Sequence, residues 1–368
     1  MENIDRIGKV ESIALLITVI INNIIFNVPA IILNLTGTGS WVNIIYLTIL
    51  AFVFIFIICK LLKPFSQLDL LDISEYIGGK FLKIILGIAY IFLFISFAGA
   101  CLRYLAYSLH LIYFENTSLL YLMLLFLIPV VIATKRGLKA ISGTNLFFIP
   151  MIMISILVLF ISVSKDFVWQ RLFPVFGYGI KNLFFTQIGN ISIFNVIAYL
   201  YFIRPFLKNH QHFKYISIFC IVICSIYFIL SILTLLMAFP FITDTDQTLS
   251  LYLLTRSASL GNFFERVDAI FIFLWILNLI SFLSLNIFFI NNIVKKLLKI
   301  KYPSELTYTS ALILLGVAVS FKNIAVVKVF NRNFYKIYDA LLVFVVSFFI
   351  ILLAYFKKRR KEKFNEIK

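Results

Sequence analysis

Thr18-Val-Ile-Ile-Asn-Asn-Ile-Ile-Phe-Asn-Val-Pro29 sets three amides and a proline inside an otherwise apolar run from Ile13 to Leu35. Asn23 and Asn27 are four residues apart and share a helical face. Amides in hydrocarbon are costly unless paired. Pro29 removes a backbone donor and frees a carbonyl four residues back. Two readings stand for this run alone: a kinked helix whose Asn side chains bridge to neighbours, or a broken helix lining a site near the bilayer midplane. The counterpart is Phe185-Thr-Gln-Ile-Gly-Asn-Ile-Ser-Ile-Phe-Asn195, where Gly189 is flanked by Gln187, Asn190 and Ser192. Glycine weakens the helix there, and polar neighbours can satisfy the freed backbone groups.

These two runs are the first and sixth of ten. The others are Trp41–Leu62, Phe81–Tyr113, Leu119–Ala133, Leu146–Ser164, Ile216–Phe239, Ala269–Val294, Leu306–Phe321 and Ile337–Phe356, with Leu183–Ile203 framing the sixth. A run of about 18 apolar residues crosses the hydrocarbon core as a helix. Breaks at corresponding places in two five-helix halves are the pattern of an inverted-repeat carrier. The expected fold is an all-α integral membrane protein of ten transmembrane helices, a 5+5 inverted repeat with helices 1 and 6 broken. It forms one domain over residues 1–368, with pseudo-repeats at 13–164 and 183–356 and a basic cytoplasmic tail at 357–368.

Hydrophobic residues make up 62% of the chain and charged residues 13%. The net charge of +17 does not point to nucleic acid, because of where it lies. Most Lys and Arg residues fall at 1–12, 60–83, 135–139, 204–214, 295–301 and 357–368, all on one side if both termini are cytoplasmic. That bias sets orientation. Lys357-Lys-Arg-Arg-Lys361 reads as an anchor beside anionic lipid. The first run is too long for a cleavable signal and lacks a small-residue cleavage site, so it is expected to stay. Cys59, Cys101, Cys220 and Cys224 all fall in apolar runs and read as packing residues. No metal or cofactor signature accompanies them.

Helix 3 carries Ser96, Gly99, Ala100, Arg103, Tyr107 and His110 on one stripe. Small residues admit a neighbouring helix. Arg103 keeps its proton and must find an anion, carbonyls or water. It reads either as snorkelling to the outer interface or as an anion contact or gate at the outer side of a cavity. Helix 8 offers Trp275, Asn278, Ser281 and Ser284 at steps of three. The two serines read as packing groups, and Trp275 with Asn278 as facing an interior. A ligand site between helices 1, 3, 6 and 8 would use Asn23, Asn27, Gly99, Arg103, Gln187, Gly189, Asn190, Trp275 and Asn278. No Asp or Glu falls in the middle of any run: Glu115, Asp268 and Asp339 are at ends. That absence argues against proton-coupled accumulation. No nucleotide loop, paired catalytic carboxylates or Ser/His/Asp arrangement appears at membrane depth, so no enzyme is expected.

Four local patterns carry a family resemblance. They are Pro29 followed by Thr36-Gly-Thr-Gly-Ser-Trp41, Ala100-Cys-Leu-Arg103, the outer loop Arg171-Leu-Phe-Pro-Val-Phe-Gly-Tyr-Gly179, and Glu265-Arg-Val-Asp268 running to Trp275. In this order, each at its own helix, they resemble the endospore germination permeases, the B subunits of nutrient germinant receptors. The resemblance implies a fold similar to the amino acid–polyamine–organocation superfamily and the sensing of small nutrients, often amino acids. It also implies A and C partner subunits, and the spore inner membrane as location. The carboxylate-poor helix 6 departs from superfamily carriers and puts coupled transport in doubt. Three functions compete: a receptor subunit, a secondary amino-acid transporter, and a polytopic membrane enzyme such as a glycan polymerase. The last would want a larger outer loop with charged catalytic residues.

Overall fold

The structure, a computed structural model, describes residues 6–239, 250–257, 267–301 and 303–366. Among them it is helical throughout, with no strand and one isolated bridge between Ile7 and Leu207. Six helical runs are long and apolar enough to cross a membrane: Val28–Phe65, Leu70–Ile112, Leu138–Asp166, His210–Ala238, Ala269–Leu298 and Ile324–Arg360. Three apolar helices are shorter, Leu119–Lys135, Val196–Phe206 and Leu306–Ser320. This is a multi-pass membrane protein.

The first run is broken. Helix α1 (Lys9–Ile25) ends at Phe26, Asn27 takes the left-handed region at φ 65°, and α2 (Val28–Thr36) restarts with Pro29 in its first turn. Proline lacks the N–H that an unbroken helix would need, but fits a helix start. A turn at Gly37 leads to α3 (Ser40–Leu62). The outer loop then folds onto that turn. Tyr178 N donates to Thr36 O at 3.4 Å. Gly177 lies at φ 45°, where an added Cβ would stand 2.2 Å from the Thr36 carbonyl. Two of the quoted sequence patterns are therefore one contact.

Helix α4 (Leu70–Ile112) kinks at Gly79, and α5 (Leu119–Lys135) and α6 (Leu138–Ser162) follow. The sixth run is irregular over a longer stretch than its single glycine suggests. A π turn (Asn182–Thr186) and a 3-10 segment (Ile188–Phe194) precede the short α7 (Val196–Ile203). Helix α8 (Phe213–Ala238), α9 (Ser250–Ser257), α10 (Val267–Leu298) and α11 (Leu306–Ser320) complete most of the bundle. Glu265 and Arg266 of the fourth sequence pattern lie outside the described residues. Helix α4 packs along α10 and α11, α3 along α8, and α1 against α6, α8 and α10. A ring cluster of Tyr90, Phe94, Tyr199, Phe202 and Phe289 fills the middle, with centroids 4.8–6.2 Å apart.

The last run corrects the sequence reading. Residues 322–336 were expected to form an outer loop, with the helix beginning at Ile337. Instead helix begins at Ile324 and continues through α12 (Ile324–Val329), a π turn (Phe330–Tyr335), α13 (Lys336–Asp339), a second π turn (Ala340–Val346) and α14 (Ser347–Glu366). Asp339 is therefore not at a helix end. It is 0% exposed, and the neighbouring Tyr338 hydroxyl donates to Ala89 O at 3.1 Å, well inside α4 beyond the Gly79 kink. The statement that no carboxylate sits in mid-helix fails at this residue. Lys328, Arg332 and Lys336 lowered the local hydropathy and hid the helix. The buried residues Val327, Asn331, Tyr335, Asp339 and Val343 recur every fourth position. An α-helix of 3.6 residues per turn would swing such a row around its axis. The wider π turns hold it on one face.

The end assigned to the cytoplasm carries the basic residues in specific contacts. Arg204 is buried and donates to Leu62 O at 2.9 Å and Leu68 O at 3.3 Å. Lys296 Nζ meets Asp69 and Asp72 at 2.6 Å each. Lys357 of the tail donates to Tyr76 O at 2.7 Å.

Candidate functional site

The two breaks meet. Asn23 Nδ2 donates to Asn195 Oδ1 at 2.9 Å and to Ile193 O at 3.3 Å. Asn195 Nδ2 in turn donates to Asn23 Oδ1 at 3.4 Å and to the Tyr335 hydroxyl at 3.2 Å. Cys224 Sγ also lies 3.7 Å from Ile193 O. The 3-10 winding leaves that carbonyl without its α-helical partner, and side chains from α1 and α8 satisfy it. Of the two readings of helix 1, break and bridging amide both hold at once: Asn23 bridges because the facing helix is unwound.

A second junction surrounds Gly189. Lys336 Nζ donates to Gln187 Oε1 at 3.0 Å and Asn190 Oδ1 at 3.1 Å. Asn190 Nδ2 donates to Asn43 Oδ1 at 3.0 Å, and Asn43 Nδ2 to Leu183 O at 2.6 Å. A Cβ on Gly189 would stand 3.4 Å from Lys336 Cε, in ordinary contact, so the lysine stem packs directly over the glycine. Lys336 falls just before the expected last run, Ile337–Phe356; the structure brings it to the helix 6 break.

The third junction involves α10. Asn278 Nδ2 donates to Thr18 O at 3.4 Å, while its buried Oδ1 has no partner. Asn145 of α6 donates to Thr18 Oγ1 at 2.9 Å. Trp275 is 6.0 Å from Tyr104 between ring centroids, and Tyr104 is 4.8 Å from Phe26 at the helix 1 break. Asn22 donates to Cys101 Sγ at 3.2 Å, and Asn27 is buried in the break itself.

Asn23 and Asn27 thus belong to helix 1 itself, Asn278 donates to it, Trp275 reaches its break through Tyr104, and Gln187, Gly189 and Asn190 lie against Lys336. Gly99 and Arg103 face elsewhere. A Cβ on Gly99 would lie 2.7 Å from Val317 Cγ1, so this glycine admits α11. Arg103 donates to Lys322 O at 3.0 Å at the far end of α11, and its Nε has no partner. Asn43, Asn195, Tyr335, Lys336 and Asp339 were not among the expected site residues. A signal for the last three existed in the four-residue spacing of Asn331, Tyr335 and Asp339 beside that of Lys328, Arg332 and Lys336.

Residues 6–326 match the family described as spore germination protein, the spore permeases. No curated protein matches the chain. The chain belongs to this spore germination protein family, a germination permease type rather than a known enzyme family. The matched range ends before Tyr335, Lys336 and Asp339.

Proposed function

We propose that this member of the spore germination protein family is the B-type subunit of a nutrient germinant receptor. It binds a small nutrient, an amino acid by preference, between the broken helices near mid-membrane. It signals occupancy to A and C partner subunits in the spore inner membrane. The observation that carries this reading is the Asn23–Asn195 pair, which joins the two breaks across the bundle. Broken helices present amide donors at one pole and carbonyls at the other, which suits an amino acid's carboxylate and ammonium. The pairing of α3 with α8, and of α4 with α10, supports a ten-helix 5+5 inverted repeat, since these pairs exchange under such a repeat or map onto themselves.

A ligand shifts a conformational equilibrium only by binding one state more tightly. Closure of the two breaks around the nutrient would supply that difference. The test is germination of a deletion strain carrying Gly189→Leu, screened against single amino acids with protein level measured in parallel. The leucine would collide with Lys336, so the response should vanish while the protein persists. A normal response overturns the site.

The second reading, a secondary amino-acid transporter, gains from one observation: Asp339 is a buried carboxyl within the last helical run, where the sequence placed it at a helix end. Labelled amino acid in vesicles containing this chain alone separates the two. Saturable binding without accumulation fits the sensor. Concentrative uptake that collapses with the proton gradient establishes the transporter instead.

A further inference from the structure

We propose that Asp339 is a proton-binding site in the membrane core, linked to the junction of helices 1 and 6 through Tyr335 and Asn195. Neither carboxylate oxygen of Asp339 meets a donor at full hydrogen-bond geometry, the one side chain poised to donate to it is Tyr335, and no cation pairs with it among the described residues. An ionised carboxylate in such a place is among the costliest groups a membrane protein can hold.

The groups that surround it make the link directional. From α4 comes Tyr90, from α7 come Tyr199 and Tyr201, and from its own helix Tyr335, with Lys336 and Tyr338 its neighbours in sequence. Tyr199 donates its proton to Asn286 Oδ1 at 2.9 Å, Tyr201 to Val343 O at 3.0 Å and Tyr338 to Ala89 O at 3.1 Å. Ser347 donates to Leu342 O at 2.8 Å, so in its 2.7 Å pair with Tyr90 the tyrosine is the donor. Lys336 is committed to Gln187 and Asn190. Tyr335 differs. Its oxygen accepts from Asn195, which leaves its own proton to give, and it lies one turn before Asp339.

Taking up one proton from water converts the carboxylate to a carboxylic acid and reverses what Asp339 asks of Tyr335. The carboxylate only accepts; the acid can donate. Tyr335 passes that change to Asn195, and Asn195 to Asn23. The π turns on either side of Asp339 interrupt the regular helical ladder and give this segment room to adjust. The link rests on reading the helix 1–helix 6 junction as the ligand site; the protonation itself does not.

The experiment uses the full chain in lipid nanodiscs. Infrared spectra with isotope-labelled aspartate read the carboxylic-acid carbonyl band at neutral pH. A Trp41→Phe/Trp169→Phe background leaves Trp275 as the only tryptophan, beside Tyr104 at the helix 1 break. We expect an aspartic-acid band in the parent that is lost in Asp339→Asn. We expect Trp275 emission to move with pH in the parent and to stay flat in Asp339→Asn. Tyr335→Phe should flatten the emission response and keep the band. If Asp339→Asn does not assemble, Asp339→Glu must move the band from labelled aspartate to labelled glutamate. No protonated aspartate, a band that survives removal of Asp339, or an unchanged Trp275 response in Asp339→Asn overturns the proposal. A Gly189→Leu protein that still answers nutrients would sink the ligand site and leave both spectroscopic signals in place.

Discussion

Two groups of aspartates in this protein meet opposite fates. Asp69 and Asp72 sit at the start of α4, where Asp69 Oδ1 accepts from Asp72 N at 3.0 Å and Oδ2 of each aspartate reaches Lys296 at 2.6 Å. Asp339 sits in the core with no cation among the described residues, and only the Tyr335 hydroxyl is poised to donate to it. The first group caps a helix and ties α10 to α4, which is structural work. The second gives nothing to the fold that an apolar residue of its size could not give. Unsatisfied buried polar groups persist where something other than stability keeps them. The difference teaches where to look: the saturated cluster holds the bundle, and the frustrated one is where we propose a working group.

Removing one partner from each group gives the largest expected contrast. Lys296→Met leaves two carboxylates facing each other at a partly covered site and should cost about 2 kcal/mol, less than a fully buried pair because Lys296 is partly exposed. Asp339→Asn keeps shape and neutrality, and should change stability by less than about 1 kcal/mol while abolishing the nutrient response. Thermal melting in detergent and germination assays measure the two. Equal destabilisation by both variants would mean that Asp339 is a structural residue and would end the contrast.

Lys336 lies between these extremes, since it is paired yet works at a break. Lys336→Met removes the donor shared by Gln187 and Asn190 and should cost about 1–2 kcal/mol. It should also raise the nutrient concentration needed for half-maximal germination. A variant that loses stability with unaltered nutrient sensitivity would assign Lys336 to packing alone.

What the sequence disclosed follows the same division. Hydropathy located the apolar runs, because burying or embedding them leaves no alternative. Asn27 with Pro29 announced the first break through backbone chemistry that is local. The start of the last helix was hidden. Lys328, Arg332 and Lys336 read as loop charges when hydropathy is averaged, although their spacing of four fits one face. Gly99 was legible as a point of close helix approach, but that Val317 fills the approach depends on tertiary packing. Asn195 stood inside the quoted helix 6 pattern and became visible as a partner only once Asn23 was placed opposite it.

Arg103 carries a smaller effect. It donates to a single carbonyl, Lys322 O, near the edge of the bundle. Arg103→Lys keeps the charge without the planar fork of donors, so a partial loss of response is expected. Arg103→Ala should lose more, with a stability change of about 1 kcal/mol for one hydrogen bond. Germination at normal rate in both variants would make Arg103 an interfacial residue and would leave the contrast between the paired and unpaired aspartates standing without it.

The smallest effect concerns pH at the saturated cluster. Burial, with the neighbouring charge of Asp72, pushes the Asp69 carboxyl up to about 6 in spite of Lys296. An unfolded chain would titrate this group near the ordinary carboxylate value of about 4. As pH falls from 7 through about 6, the folded protein therefore takes up a proton that the unfolded chain does not. Stability from this group rises with acidification and is lost again as pH climbs back through about 6. The gain is at most about 3 kcal/mol, and Lys296 keeps Asp72 paired while it happens. Melting temperatures at pH 7 and pH 5 should differ by less in Asp69→Asn than in the parent, since asparagine still caps the helix but no longer titrates. A parent protein with the same pH dependence as Asp69→Asn would show that Lys296 holds both carboxylates ionised throughout. The Lys296 cluster would then be silent to pH, and the search for a response to acid would move to Asp339.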